Sequence, residues 1–256
     1  MRLAFISDIH ANLPALEAVL ADLDRQKPDA VYCLGDLVSY APWPNEVVQL
    51  IRQHRIPTLM GNHDFTLSQL REGEALPTVP PDPKMGRSVV TAGAQSLAFT
   101  HGLLGNQERG FLGSLPRHIR LEFDTADGRS DVLMVHGSPG SLNEYLLEDR
   151  TEADILSVMD QAGADILLFG HSHLPYHRQL PGRSPDKPAY RHAINTGSVG
   201  KPKDGDPRAG YVLIDWIGGE PRVTLIRVAY DVERAARAIE ESPLPDEFAD
   251  RLRRAY

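Results

Sequence analysis

Residues 3–23, LAFISDIHANLPALEAVLADL, join a short apolar run to a segment with helical periodicity, and a pair of polar side chains lies between them. Residues 3–7 are typical of a β-strand. A helix is expected to open at Asn12, because apolar residues then recur at the spacing of one helix face. Those residues are Leu13, Leu16, Val19, Leu20 and Leu23. The order strand, loop, helix therefore places Asp8 and His10 just past the carboxyl end of a strand.

The same alternation returns further along the chain. Residues 29–35 and 56–60 are predicted strands, and residues 45–54 form a predicted helix that begins behind Pro44. Two consecutive strand-helix-strand units imply parallel pairing with right-handed crossovers.

The rest of the chain is richer in strands. Between residues 65 and 116 the periodicity weakens, and we expect a partly helical insertion there, with helical patterns at 88–104 and 106–115 and many Pro and Gly residues at 76–86. Further strands are predicted at 119–123, 131–135 and 165–169, with a helix at 151–162. Runs at 189–195, 211–216 and 222–229 have no helix between them, which favours antiparallel pairing. Two short helices are expected at 232–241 and 244–254.

These patterns predict one domain over residues 1–256, of the α/β class. An α/β beginning followed by a strand-rich second half indicates two stacked sheets flanked by helices. With 41% apolar and 24% charged residues, the chain has enough apolar material for a sizeable core.

Composition also limits the location and the partners. The apolar N-terminal stretch meets Asp8 too early for a secretory segment or a membrane span, so a cytoplasmic protein without membrane contact is expected. The net charge of -8 argues against polymeric nucleic acid as a partner. The single cysteine, Cys33, lies in an apolar run, which excludes a disulfide framework and indicates a buried structural thiol.

Polar clusters follow several of the apolar runs directly. Because residues just past successive strands converge on one crevice in an open α/β sheet, these clusters are candidates for a single site. They are Asp8 with His10, Gly35-Asp36, Gly61-Asn62-His63-Asp64, His136-Gly137, and Gly170-His171-Ser172-His173. An Asp-x-His pair alone is more typical of a capping aspartate beside a surface histidine, and it is the conjunction that indicates a metal site. The five other histidines have no such company, and no role is expected for them; they are His54, His101, His118, His177 and His192.

The ordered blocks D-x-H, G-D, G-N-H-D, H and G-H-x-H, which span Asp8 to His173, resemble those of a calcineurin-like metallophosphoesterase. The resemblance implies a four-layer α/β/β/α sandwich of two mixed sheets. It also implies that Asp8, His10 and His173 bind one divalent metal ion, that Asn62, His136 and His171 bind a second, and that Asp36 bridges both. Oxygen and imidazole ligands suit Mn, which we expect, and also Fe, Zn, Co or Ni.

The reaction implied by the resemblance is hydrolysis of a phosphate ester by a hydroxide held between the two metal ions. His63 is expected to act as general acid toward the leaving group, and Asp64 is expected to hold the His63 ring and favour its charged form.

The substrate is less well defined by the sequence. Protein phosphatases of the superfamily carry Asp-Arg-Gly after the G-D block, whereas this chain has Ser39-Tyr40-Ala41. Loss of the arginine favours a phosphodiester or a nucleotide phosphoanhydride over a phosphoprotein. Tyr40 and Arg208 are candidate substrate contacts, and the glycine-rich run at 195–200 is a candidate phosphate-binding turn or a tight turn without ligand.

Several alternatives stay open at this point. They are a diadenosine polyphosphate hydrolase, a protein phosphatase, a nuclease, and a scaffold of the same fold that has lost catalysis. The expected partner is a small phosphate ester or nucleotide, and the sequence does not define an oligomeric state.

Overall fold

Strands of two β-sheets occupy the centre of the computed structural model, which describes residues 1–71, 74, 91–125, 128–182, 189–217 and 220–256. The strands are β1 (Arg2–Ile6), β2 (Ala30–Cys33), β3 (His118–Thr125), β4 (Gly128–Val135), β5 (Ile166–Phe169), β6 (Tyr176–Pro181), β7 (Tyr190–Asn195), β8 (Ala209–Ile217) and β9 (Glu220–Val228). The helices are α1 (Leu13–Gln26), α2 (Pro44–Gln53), α3 (Asn62–Gln69), α4 (Ala92–Leu103), α5 (Asn106–Ser114), α6 (Glu152–Ala162), α7 (Val232–Glu240) and α8 (Glu247–Arg254).

Both sheets are mixed. The first has the order β2-β1-β8-β9, in which β1 pairs parallel with β2 and antiparallel with β8. The second has the order β3-β4-β5-β7-β6, in which the three central strands β4, β5 and β7 are parallel and both edge strands are antiparallel. Parallel strands need crossover connections, and the chain supplies them with α1 between β1 and β2 and with α6 between β4 and β5.

Apolar side chains fill three layers. Between the sheets, Phe5 of the first sheet packs in one cluster with Leu168 of the second. The outer face of the first sheet packs against α1 and α2, and the outer face of the second packs against α6 through Ile155 and Met159. The order is therefore helix, sheet, sheet, helix, which confirms the predicted fold class.

Three strand predictions were wrong in part. Residues 56–60 form only an isolated bridge between Thr58 and Cys33, because Pro57 has no N–H to donate to a ladder. The edge strand β6 was missed, since its sequence YHRQLP is mostly polar. The run at 189–195 pairs parallel with β5 as well as antiparallel with β6, because β5 reaches it through a crossover that contains β6.

The region 65–116 contains helices in its described part. Helix α4 corresponds to the pattern at 88–104 and α5 to that at 106–115, whereas residues 88–90 and the stretch 76–86 lie outside the described residues. Apolar side chains of α5 join the cluster under the first sheet. The single domain with an insertion at 65–116 stays a prediction.

Two further expectations concern Cys33 and the membrane. The Cys33 side chain is fully buried, and burial raises the pKa of its thiol, as suits an unreactive structural residue. Among the described helices, none has the length and hydropathy that a membrane span requires.

A close backbone contact at Gly200 yields a stability prediction. A Cβ at this position would lie 1.7 Å from the carbonyl oxygen of Ile9. We expect Gly200→Ala to lower the free energy of unfolding by at least about 3 kcal/mol, because backbone must move. Gly110 lies exposed in α5 with open space around it, so Gly110→Ala should raise stability by about 0.5 to 1 kcal/mol. Urea unfolding of both variants would check this; equal stabilities would contradict the packing described.

Candidate metal centre and active site

The seven predicted ligands lie at one edge of the two sheets. Asp8 and His10 follow β1, Asp36 follows β2, His136 follows β4, and His171 and His173 follow β5; Asn62 is the first residue of α3. Five of them have left-handed backbone, with φ between 49° and 65°: Asp8, His10, Asp36, His171 and His173. Non-glycine residues adopt this conformation at a cost and are enriched at functional sites. The turns after the strands thus aim these side chains into one space.

The first cluster contains Asp8, His10 and His173, all buried. The Nε2 atoms of His10 and His173 are 3.1 Å apart, and His173 Nε2 lies 3.2 Å from Asp8 Oδ1. That carboxylate oxygen is buried and has no hydrogen-bond partner among the described residues. The other carboxylate oxygen of Asp8, Oδ2, accepts hydrogen bonds from the Ser7 hydroxyl and the His171 N–H.

The Nδ1 atoms fix where the free electron pairs of the histidines point. His10 Nδ1 lies 3.0 Å from the Val38 carbonyl oxygen, and His173 Nδ1 lies 2.5 Å from that of Lys201. Since a carbonyl only accepts, each Nδ1 must carry the proton, and a neutral ring then presents a lone pair at Nε2. Two such lone pairs facing each other repel unless a positive charge lies between them.

The second cluster contains Asp36, Asn62, His136 and His171. His136 Nδ1 lies 2.8 Å from the Leu34 carbonyl oxygen, which directs Nε2 to Asn62 Oδ1 at 3.0 Å and Asp36 Oδ2 at 3.3 Å. Asp36, His136 and His171 can also hold one metal ion between them, and Asp36 lies 3.7 Å from His10 Nε2 of the first cluster.

The pKa values of His136 and Asp36 show that each group stabilises the charged form of the other. Burial disfavours a charged His136, but the negative charge of Asp36 and a hydrogen bond to it outweigh burial and raise the pKa to about 10. Burial would raise the pKa of Asp36, but neighbouring histidines, His136 first, lower it well below its usual range. Carboxylate, amide and imidazole donors around an orphaned carboxylate oxygen therefore fit two divalent cations.

Asp64 differs from its expected role. Its Oδ2 accepts the N–H groups of Asp36 and Gly61, and its Oδ1 accepts the N–H of Leu37. The carboxylate therefore joins the G-D turn to the start of α3 instead of holding the His63 ring. Burial, followed by the charge of Asp36, raises its pKa to about 7.

His63 lines the cleft, and its backbone N–H donates a hydrogen bond to Asp36 Oδ1 at 2.9 Å. Its ring centroid is 5.2 Å from that of His10 and 5.0 Å from that of Tyr40. Burial lowers the pKa of His63, and the charge of Asp36 offsets this only in part. The expectation that Asp64 favours the charged ring stays a prediction.

An open cleft of about 350 Å³ lies over both clusters. Tyr40, a predicted substrate contact, lines the cleft, with its ring between His10 and Phe248. Arg208 does not line it; its guanidinium binds the carboxylate of Asp206 two residues away, which holds it at the surface. The sequence alone did not show that Asp206 would accept hydrogen bonds from the Arg208 guanidinium.

Four residues at the cleft were missed by the sequence reasoning. Asn143, Tyr145 and Lys203 line it, and the Tyr145 ring stacks on His171 at 4.3 Å between centroids while 48% of the residue is exposed. Lys201 is buried beside it, and its Nζ lies 4.6 Å from the centre of the Tyr40 ring. Burial, and then the charge of Lys203, lowers the Lys201 pKa to about 7. The lysines directly follow the glycine-rich run at 195–200, which was the available signal.

Comparison with known proteins bears on this arrangement. Residues 1–218 match the calcineurin-like phosphoesterase superfamily domain. The chain belongs to this superfamily. Its members are metal-dependent phosphoesterases, and the two clusters supply the potential ligands that such chemistry needs.

Similar proteins support the same assignment. An uncharacterised protein of Methanocaldococcus jannaschii is 31% identical over 98% of this chain and 96% of its own length. Phosphodiesterase YfcE of Escherichia coli K12 is 26% identical over 84% of this chain and 88% of that protein. The crystal structure of a metallophosphoesterase from Sphaerobacter thermophilus, 30% identical, superimposes with a TM-score of 0.74 over 100% of this chain and 99% of that one. A hypothetical protein from Pyrococcus horikoshii, 22% identical, shares the fold with a TM-score of 0.81 over 100% of this chain and 98% of that one.

The contacts of Asp64 predict a structural effect of its loss. In Asp64→Asn an NH₂ group must face a backbone N–H that the carboxylate now accepts. We expect a loss of about 1 to 3 kcal/mol in the free energy of unfolding and weaker metal retention. The rate ratio between alkyl and nitrophenyl esters should equal that of the unmodified chain. Asp24→Asn, at an exposed position, is the control. A loss of turnover on alkyl esters alone would instead show that Asp64 supports His63 as the general acid.

Proposed function

We propose that this chain is a two-metal phosphoesterase that hydrolyses a phosphodiester or a nucleotide phosphoanhydride. The observation that carries the proposal is the convergence of histidine lone pairs and carboxylate oxygens on two adjacent points beside an open cleft. Such an arrangement is unfavourable unless cations occupy it.

Each predicted ligand has a role in this proposal. One cation would be held by Asp8, His10 and His173, the other by Asn62, His136 and His171, and Asp36 would contact both. When bound, the pair would activate water and neutralise phosphate oxygens. Mn²⁺ is the expected ion, and the backbone carbonyls on the Nδ1 atoms would hold the histidine rings in the binding orientation.

His63 is the proposed general acid. Its ring lines the cleft and makes no hydrogen bond to another described side chain, so its ring nitrogens are available to a leaving-group oxygen. The nearby charge of Asp36 and an incoming phosphate both favour protonation of the ring, against the effect of burial.

The cleft also bears on the choice of substrate. The chain has no arginine at 39–41, where a protein phosphatase of the superfamily carries the one that clamps a terminal phosphate. Tyr40 and the half-exposed Tyr145 flank the cleft, and aromatic faces suit a substrate that carries a planar ring, such as a nucleotide. The similarity to a phosphodiesterase favours the diester class as well. A diadenosine polyphosphate hydrolase stays an alternative, and the expected location and partners stay predictions.

Removal of metal should abolish turnover. After chelation we expect no hydrolysis of bis(nitrophenyl) phosphate, and recovery with Mn²⁺. Because the metal ion binds the folded state alone, it should also raise the free energy of unfolding, by about 2.7 kcal/mol when the free ion is at 100 times its Kd.

A panel with nitrophenyl phosphate, cyclic nucleotides and diadenosine tetraphosphate would rank the substrates. Elemental analysis of Asp36→Asn should show fewer than two bound ions. Undiminished turnover of the metal-free protein would refute the proposal.

His63→Ala should separate leaving groups. On an alkyl phosphate ester we expect a loss on the order of 10²- to 10⁴-fold in turnover, because the departing alkoxide needs a proton. On a nitrophenyl ester the loss should be much smaller, because nitrophenolate leaves without one. His54→Ala, at an exposed histidine just after the end of α2, is the control and should change neither rate. Equal losses on both esters would exclude the acid role.

A further inference from the structure

Lys203 is a cation in the wall of the cleft for which the proposed reaction has no role. Its backbone N–H donates to the carbonyl oxygen of His173 at 3.4 Å, so its side chain starts beside a proposed ligand. The side chain is partly buried and lines the same cleft as His171 and Tyr145.

The ammonium group of Lys203 has no acceptor within the described part of the chain. The acids that follow it are engaged elsewhere: Asp204 pairs with Arg227, and Asp206 pairs with Arg208. Because no acceptor of the described chain holds this ammonium in the wall of the cleft, it can contact an anion that enters the cleft.

The charges of the site indicate how much anion it can take. Two divalent cations would bring four positive charges, and the ligands Asp8 and Asp36 supply only two negative ones. The hydroxide of the proposed reaction and a phosphodiester would each add one negative charge, which makes the site neutral before Lys203 is counted and positive by one charge once it is. Since unlike charges attract strongly where water is partly excluded, this cleft complements a substrate with further negative charge.

We propose that Lys203 binds a second phosphate next to the scissile one, so that the site prefers esters with consecutive phosphates over simple phosphodiesters. The inference rests on the proposed function, because the scissile phosphate must occupy the metal centre. A lysine suits this task, since its ammonium is a compact charge that contacts phosphate oxygens without a fixed fork geometry.

The test compares ligands that differ by one phosphate. Binding of AMP and of ADP to the protein loaded with excess Mn²⁺ is measured by calorimetry. We expect the unmodified chain to bind ADP about 10- to 100-fold more tightly than AMP, and Lys203→Gln to abolish that difference. Lys203→Arg should keep most of it. Lys27→Gln, which removes a lysine charge from an exposed position after α1, should keep all of it.

Kinetics distinguish this proposal from the proposed function. In Lys203→Gln, KM for diadenosine tetraphosphate should rise about 10- to 100-fold, while kcat/KM for bis(nitrophenyl) phosphate changes less than about threefold. Equal losses on the two substrates, no loss on either, or a loss as large on nitrophenyl phosphate would overturn the second-phosphate site. The second-phosphate site would also be overturned if the unmodified chain hydrolysed diesters but neither bound ADP more tightly than AMP nor cleaved diadenosine tetraphosphate. Metal-dependent diester hydrolysis would stand in each of these cases, whereas its absence would refute the proposed function itself.

Discussion

The lone pairs of three buried histidines set the constraint on which the site depends. Because the Nδ1 atoms of His10, His136 and His173 each face a backbone carbonyl, their Nε2 atoms are the ones left to bind a cation or a further proton. They point at one another or at carboxylate and amide oxygens, at separations of 3.0 to 3.3 Å. In the absence of a positive charge this is mutual repulsion inside the protein. The same geometry becomes favourable once cations are present, so relief of this repulsion contributes to the free energy of metal binding.

The rest of the architecture keeps the ligands in this arrangement against their repulsion. Backbone hydrogen bonds join the turns to one another, including Asp8 N–H to the Gly35 carbonyl and Gly170 N–H to the His136 carbonyl. The His171 N–H on Asp8 Oδ2 links a turn of the second sheet to a turn of the first. The Asp64 carboxylate adds three N–H contacts under the G-D turn. A network of short, buried hydrogen bonds can hold left-handed residues that would otherwise relax.

Sequence reasoning predicted the fold class well, because apolar periodicity and the convergence of strand ends are local or topological rules. It placed Asp8, Asp36 and His136 after strands, and the structure brings them together. It failed where long-range contacts decide the outcome. Two of the three partners of Asp64 are 27 and 28 residues away in sequence, so a local reading of His63-Asp64 did not find them. Arg208 looked like an anion ligand until the structure showed Asp206 beside it.

The proposed substrate contacts were hardest to predict because these residues come from parts of the chain outside the motif blocks. The superfamily match ends at residue 218, and α7 and α8 follow it. Phe248 of α8 supports the Tyr40 ring at 5.1 Å between centroids, and Lys201 contacts that ring. Tyr40, which lines the cleft, is therefore packed against a helix that lies beyond the matched residues. The two sets of contacts meet at Lys201, whose backbone carbonyl faces His173 Nδ1 while its Nζ lies over the Tyr40 ring. A match to the superfamily domain therefore does not by itself define a substrate, since Tyr40 and Lys201 lie outside the motif blocks.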